Sequence, residues 1–319
     1  MRKINVGVVG CGDAAQHVYL SEFHRLQDRA QLVAVCDRVE ARAHAARRRF
    51  GAQASYMDLH RFLRESDVEL VLNLTPHHAH GEVSLAALEA GRHVYTEKPM
   101  AQSLDEATQL IEAARAHRVK LACAPVTLLL PTMRRWQQRL REGAMGRPTF
   151  ARAQALAAPL WEGFSPDHAW YFTAGSGPLM DMGVYALTGL TGLFGPALRV
   201  SAMSGTILPE RVMRDGPFAG TRIQTHVDDP VHVHLDFGGC ARHWMSPGAS
   251  RPAATNSWKC TARRERCPVT PPPPICPCIG LGPVVPGGSR TLPRLCPAAT
   301  TGSKASRTSW SASSMIRSL

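Results

Sequence analysis

Acidic residues all but vanish from the last quarter of this 319-residue sequence. Residues 239–319 hold one acid, Glu265, against eleven Lys and Arg, which puts +10 of the formal +12 charge there and leaves +2 for residues 1–238. The basicity is therefore local, and it does not mark the whole chain as a nucleic-acid binder. The tail has no basic helix and only Trp244, Trp258 and Trp310 as stacking rings, so nucleic acid ranks last among partners. No run of about 18 apolar residues occurs, which excludes a membrane-spanning helix and leaves no membrane partner to expect. The start, MRKINVGVVGCGDAAQ, lacks the pattern of a secretory signal, so the expected compartment is the cytoplasm. C-x-x-C spacing is missing and no His follows His243, which excludes zinc ribbons and fingers. The six tail cysteines, Cys240, Cys260, Cys267, Cys276, Cys278 and Cys296, would form a disulfide framework only in an oxidising compartment. Cys11, Cys36 and Cys123 sit in or beside apolar strands and are expected to pack as small hydrophobes.

What is present begins with strand–helix alternation. Ile4–Val9, Leu32–Cys36 and Val68–Leu74 are short apolar, β-branched runs suited to buried parallel strands, with His93–Tyr95 and Val119–Cys123 as shorter candidates. Ser103–His117 reads as a helix, with Ser103 and Glu106 at capping-box spacing and Leu104, Ala107, Ile111 and Ala114 on one face. Repeated alternation predicts a doubly wound parallel sheet over residues 1–123. Residues 124–238 read as an α+β domain with an open, mainly antiparallel sheet. Its helices are Thr132–Glu142 and Pro178–Phe194, and its strands Thr149–Ala157, Arg199–Gly205, Ile223–Val227 and Val231–Phe237. After Gly239 the periodicity stops, and Pro271–Pro274 cannot lie inside a helix or a central strand. An irregular tail is expected over 239–319, and with it an incomplete second sheet whose Val231–Phe237 strand lacks a partner on one side. An out-of-frame reading of a GC-rich coding region and a genuine basic, Pro-rich appendage are the two origins to weigh.

Gly10-Cys11-Gly12-Asp13-Ala14-Ala15 follows the first strand and opens a helix, a G-x-G-x-x-A loop. Gly10 permits the tight turn, Gly12 admits a pyrophosphate, and Ala15 allows close helix–strand packing, with free N–H groups at the helix start for the phosphates. Asp37, 22 residues beyond Ala15 at the end of the second strand, would accept from a ribose 2′-hydroxyl and favours NAD. Arg38 beside it would hold a 2′-phosphate, which leaves NADP open. Asp37 also reads as a helix N-cap. Pro76-His77-His78-Ala79-His80 has the look of a metal tract, but no carboxylate or Cys nearby completes a ligand set, and no metal is expected. His232, His234 and Asp236 share a strand face that reads as solvated or as an interface. Trp161, His168, Trp170 and Tyr171 flank a loop and are pocket-lining or packing residues.

At Thr96-Glu97-Lys98-Pro99-Met100 the chain resembles the glucose–fructose oxidoreductase / inositol dehydrogenase (Gfo/Idh/MocA) family. Thr75-Pro76 followed by His80 is similar to that family's loop after the fourth strand. Gly175-Ser176-Gly177-Pro178-Leu179-Met180-Asp181-Met182-Gly183-Val184-Tyr185 resembles its Asp-x-Gly segment. The resemblance spans about residues 1–238. It implies a Rossmann domain, then a domain whose sheet carries the substrate site and often an oligomer interface. It makes Lys98 the catalytic lysine and puts Asp181 and Tyr185 beside it, with Thr75, Pro76, His80 and Glu97 near the cofactor. Many members carry His where this chain has Tyr185, and the Tyr form shifts the expected substrate towards sugars, polyols or cyclic diols. Lys98 is expected to favour the Tyr185 phenolate, and Glu97 to bond the cofactor or Lys98. The implied reaction is NAD(P)-dependent hydride transfer at a carbinol carbon. A dinucleotide sensor without turnover, or an enzyme inactive through its incomplete second domain, are the alternatives.

Overall fold

The structure is a computed structural model that describes residues 2–155, 169–213 and 219–238, together with the strands Arg242–Pro247 and Ser257–Ala262. Six parallel strands form the first sheet: β1 (Ile4–Val9), β2 (Ala30–Cys36), β3 (Ala54–Tyr56), β4 (Leu70–Asn73), β5 (His93–Thr96) and β6 (Leu121–Cys123). Their order is β3-β2-β1-β4-β5-β6, so the chain reverses direction of winding between β1 and β4. Helices α1 (Glu40–Phe50), α2 (Leu59–Glu65), α3 (His80–Glu89) and α4 (Leu104–Ala116) connect the strands. A π-helical turn, Ala15–Tyr19, running into a 3₁₀ helix, Leu20–Leu26, occupies the crossover after β1.

The strand sequences are apolar throughout because both faces are covered. Val6, Val8, Leu32, Val35 and Leu72 pack against Tyr19, Leu20, Phe23 and Leu26 on one side. Val33, Val71 and Val94 pack against Phe62, Leu88 and Leu110 on the other. The sequence gives no sign of β3, whose three half-buried residues, Ala54, Ser55 and Tyr56, owe their extended form to pairing with β2. α4 begins where expected, with Ser103 Oγ accepting from the Glu106 N–H at 3.1 Å. The Glu106 carboxylate reaches back one residue further than a capping box requires, to the N–H of Gln102. The buried face of α4 differs from expectation. Leu110 and Ala114 are buried, whereas Leu104 is 86 % and Ile111 39 % exposed. α4 turns its apolar side to α3 at Leu110, a burial that stabilises by about 1.5–3 kcal/mol.

The second part opens with α5 (Pro131–Arg141) and β7 (Pro148–Ala155). A π-helical turn, Leu179–Gly183, continues into α6 (Val184–Phe194). Then come β8 (Arg199–Ser204), a small hairpin of β9 (Glu210–Val212) and β10 (Arg222–Gln224), and β11 (Val231–Asp236). β12 (Arg242–Pro247) and β13 (Ser257–Ala262) complete a five-stranded sheet ordered β13-β7-β12-β11-β8. The sheet is mixed: β12 runs parallel to β7, and the other neighbours are antiparallel. β11 alternates as its sequence requires, with Val231, Val233 and Leu235 buried against Ala186 and Leu190 of α6.

Two expectations are corrected here. Twelve residues beyond Gly239 are strand, in a stretch without period-2 patterning, because the backbone of β7 and β11 supplies their hydrogen-bond partners. β11 consequently has neighbours on both sides. The edges of the sheet among the described residues are β13 and β8, and all six residues of β8 are exposed. Trp161, His168 and residues 263–319, with the tail cysteines beyond Cys260, lie outside the described residues.

Candidate active site

β1 delivers the chain into the glycine loop. Gly10 takes φ +90°, and a Cβ there would stand 2.6 Å from the carbonyl of Leu74, so only glycine fits. A Cβ at Gly12 meets none of the described residues within 4 Å, which is the room a diphosphate needs. Ala15 is fully buried and lets the helical crossover lie close to the sheet, while Asp13 and Ala14 remain accessible at its start. Asp37 does not cap α1, whose N-cap is Val39. Its carboxylate instead accepts the N–H of Cys11 and of Val39, each at 2.8 Å, and so ties the end of β2 to the loop. Each oxygen keeps capacity for a further donor such as a ribose hydroxyl. Arg38 is exposed beside it.

The second half of the site forms where β5 ends. Glu97, Lys98 and Pro99 follow Thr96, with the Lys98–Pro99 peptide cis and the Glu97 N–H held by the Asn73 carbonyl at 2.9 Å. Lys98 Nζ donates to the Asp181 carbonyl oxygen at 2.8 Å and also to the Asp181 carboxylate. It lies 5.2 Å from the centre of the Tyr185 ring, over its face. Lys98, Asp181 and Tyr185 are thus brought together. Burial opposes the Lys98 ammonium, but Asp181, Tyr185 and Glu97 outweigh it and hold its pKa above the ordinary value. Lys98 pulls on Tyr185 in the expected direction but is outweighed. Burial first, then Glu97 and Asp181, push the phenol up to about 12 against the opposing pull of Lys98, so it is neutral at pH 7.

Glu97 bonds Lys98 through the backbone, its Oε2 accepting the Lys98 N–H at 2.9 Å. Its Oε1 accepts the hydroxyl of Tyr19, a buried residue of the crossover after the glycine loop. Sequence reasoning missed Tyr19, since nothing local distinguishes it from a core aromatic.

His80 is 1 % exposed. Its ring nitrogens lie 2.7 Å from the Pro99 carbonyl and 2.8 Å from that of Thr75, joining the loop after β4 to the loop after β5. Thr75 donates its hydroxyl to Asn73 Oδ1 at 2.6 Å, and Pro76 is exposed at the loop's tip. His77 is the residue of this tract that reaches the second half of the chain, with Nε2 2.6 Å from Ser176 Oγ. The three histidines therefore diverge. Among the described residues no group of three or more His, Cys, Asp or Glu side chains could hold a metal, and no helix is long and apolar enough to cross a membrane. Burial, with Asp37 for the first two and Glu97 for the third, pushes Cys11, Cys36 and Cys123 each up to about 12, so all three stay as thiols.

A parallel sheet with this strand order, a glycine loop after β1 and a lysine–carboxylate pair after β5 define a dinucleotide-fold oxidoreductase. Residues 4–124 match the model of an oxidoreductase family with an NAD-binding Rossmann fold, and residues 133–259 match that of the GFO/IDH/MocA C-terminal domain. The chain belongs to the Gfo/Idh/MocA family, and the second match runs past Gly239. Levoglucosan dehydrogenase of Pseudarthrobacter phenanthrenivorans is 28 % identical over 76 % of this chain and 66 % of its own length. D-Glucoside 3-dehydrogenase of Escherichia coli is 29 % identical over 58 % of this chain and 52 % of its own. The chain thus spans two thirds or less of these relatives. Among solved structures, levoglucosan dehydrogenase in complex with NADH and L-sorbose superposes with a TM-score of 0.72 at 26 % identity, covering 82 % of this chain and 71 % of that one. The WlbA dehydrogenase from Bordetella pertussis in complex with NADH and UDP-GlcNAcA shares the fold, with a TM-score of 0.72 at 21 % identity over 82 % of this chain and 72 % of that one.

Proposed function

We propose that the chain is an NAD-dependent dehydrogenase that moves a hydride between nicotinamide and a carbinol carbon of a sugar, polyol or cyclic diol. The convergence of Lys98, Asp181 and Tyr185 at the end of β5, beside the glycine loop, carries this reading. The bound cofactor supplies or accepts the hydride, and the protein holds the reactants and the proton. Residues 10–15 take the diphosphate on backbone N–H groups, and Asp37 takes the adenosine ribose. The Lys98 ammonium stabilises negative charge on the substrate oxygen, and Asp181 fixes that ammonium in place. Tyr185, as a neutral phenol, gives its proton to the carbonyl oxygen in reduction. Oxidation retraces these steps and gains with pH because it releases a proton. NADP remains the alternative cofactor through Arg38.

Titration of the chain with NADH and NADPH, followed by a panel of sugars, polyols and diols, tests the proposal. Failure to bind either cofactor overturns it. A dinucleotide sensor without turnover is the second reading. Cofactor binding with no substrate turned over identifies it.

We place the boundary between dinucleotide and substrate domains near residue 124, and extend the substrate domain to Ala262 on the strength of β12 and β13. Because the family match runs to residue 259, an out-of-frame origin is kept only for the sequence beyond it, beside a genuine basic, Pro-rich appendage, and re-reading the coding DNA in its other frames decides between them. The exposed β8 edge favours a homo-oligomer, and the free thiols of Cys11, Cys36 and Cys123 favour the cytoplasm.

A further inference from the structure

His77 stands outside the machinery described above, yet its partners lead into it. Its Nε2 lies 2.6 Å from Ser176 Oγ, and its ring meets that of Trp170 edge-on, centres 5.1 Å apart. Both partners belong to the segment that leads into the turn bearing Asp181. Ser176 is 8 % exposed, and its N–H is held by the Thr173 carbonyl at 3.1 Å. Gly177, next in sequence, takes φ +90°, and a Cβ there would press on Val227 at 3.0 Å, so the turn leaves little room for a side chain. The Gly177 carbonyl then accepts the Asp181 N–H at 2.9 Å. From Ser176 onward the path to the Asp181 carboxylate is thus a run of hydrogen-bonded turns ending on Lys98.

The other side of His77 is equally anchored. It lies on the loop after β4, which His80 pins to Pro99, the residue after Lys98. The two ends of the Lys98–Asp181 pair are therefore joined twice, once directly and once through His77 and Ser176. Burial, with the charges of His80, His78 and Lys98 against that of Asp181, lowers the His77 pKa, so its ring is neutral at pH 7 and adds no competing cation beside Lys98.

We propose that His77 is a positioning residue that acts through Ser176 to hold the Asp181 turn in register with Lys98. The Lys98–Asp181 pair tolerates little displacement, since its ammonium is buried and depends on the carboxylate to offset its desolvation. Without the His77–Ser176 bond the Asp181 turn is free to drift and Lys98 becomes a better nucleophile at a given pH.

This inference rests on reading Lys98 and Asp181 as the catalytic pair, but its test needs neither cofactor nor substrate. The full chain is treated with acetic anhydride across an alkaline pH series, and acetylation of Lys98 is followed by peptide mass spectrometry. His77→Ala and Ser176→Ala are each expected to speed Lys98 acetylation by about three- to tenfold at fixed pH, as a fall of up to about one pH unit in the lysine midpoint requires. His77→Gln, which keeps a side-chain hydrogen-bonding group, is expected to restore most of the protection, and the double alanine variant to exceed neither single one. Ser176→Ala removes one oxygen from a small side chain and carries the test if His77→Ala does not fold. Unchanged Lys98 reactivity in both alanine variants, or a His77→Gln variant as reactive as His77→Ala, overturns the proposal. Absence of NADH binding or turnover in the parent chain bears on the dehydrogenase reading alone.

Discussion

Lys98 Nζ donates to Asp181 twice, to the backbone carbonyl at 2.8 Å and to the carboxylate, across 83 residues of sequence. The pair is largely shielded, with 13 % of the lysine side chain and 21 % of the aspartate side chain exposed. A partnered, buried ammonium is a fixed charge, and fixed charges aimed at a reacting oxygen are what such chemistry needs.

Replacing the ammonium by an isosteric apolar group separates chemistry from binding. Lys98→Met is expected to lower kcat/KM by about 10²–10⁴-fold, the range for loss of a proton-handling or charge-stabilising group, while NADH still binds. Unchanged turnover in this variant removes Lys98 from the mechanism.

Tyr185 is a neutral phenol with its pKa at about 12. Tyr185→Phe is accordingly expected to slow carbonyl reduction by about 10²-fold or more without moving the pH midpoints of the parent profile between pH 6 and 10. A parent profile with a midpoint near pH 7 that disappears in the variant contradicts the neutral-phenol assignment.

In the proposed function cofactor choice turns on Asp37, whose carboxylate is anchored by Cys11 and Val39. NADH is expected to bind at least about tenfold more tightly than NADPH, because the carboxylate repels a 2′-phosphate. Asp37→Ser should narrow that ratio, as read by fluorescence titration. A parent chain that prefers NADPH shows Arg38 dominating instead.

Alkaline pH destabilises this fold, with a sign fixed by the raised pKa values. Cys11, Cys36 and Cys123 move from 9.0 to about 12 on folding, and Tyr185 from 10.0 to about 12. Between these limits the unfolded chain sheds protons that the folded chain keeps. Stability is therefore full below about pH 9 and declines as pH rises towards 12. Urea midpoints measured under reducing conditions from neutral to strongly alkaline pH report it, and a flat profile contradicts it.

In the second half of the chain the Arg211 side chain is 6 % and that of Asp229 3 % exposed, and the two form an ion pair. Asp229 also accepts the N–H of Ile207 at 2.9 Å, and the Arg211 guanidinium lies 4.9 Å over the Phe172 ring. Asp229→Ala removes the carboxylate from a buried guanidinium and is expected to cost about 3–5 kcal/mol, measured by urea denaturation.

The dinucleotide half was legible because its signals are local. An apolar β-branched run, a glycine that must take positive φ at position 10, and a small residue at 15 each follow from one strand and one turn. β3 escaped notice because pairing with β2 makes it a strand, and α4 was rotated because Leu110 meets α3 rather than solvent. β12 and β13 were invisible for the same reason as β3. Their extended form rests on neighbouring backbones and carries no alternating pattern.

By itself the sequence named the candidates for the chemistry: the loop 10–15 and Asp37 through their spacing, and Glu97, Lys98, Asp181 and Tyr185 through the resemblance to the family. Tertiary structure decided how they act. Tyr19 meets Glu97 across 78 residues and His77 meets Ser176 across 99, separations that no local pattern encodes. The pKa of Tyr185 likewise depends on burial and on three neighbouring charges. Hydrogen bonds and desolvation depend on what surrounds a side chain, and those surroundings exist only once the chain has folded.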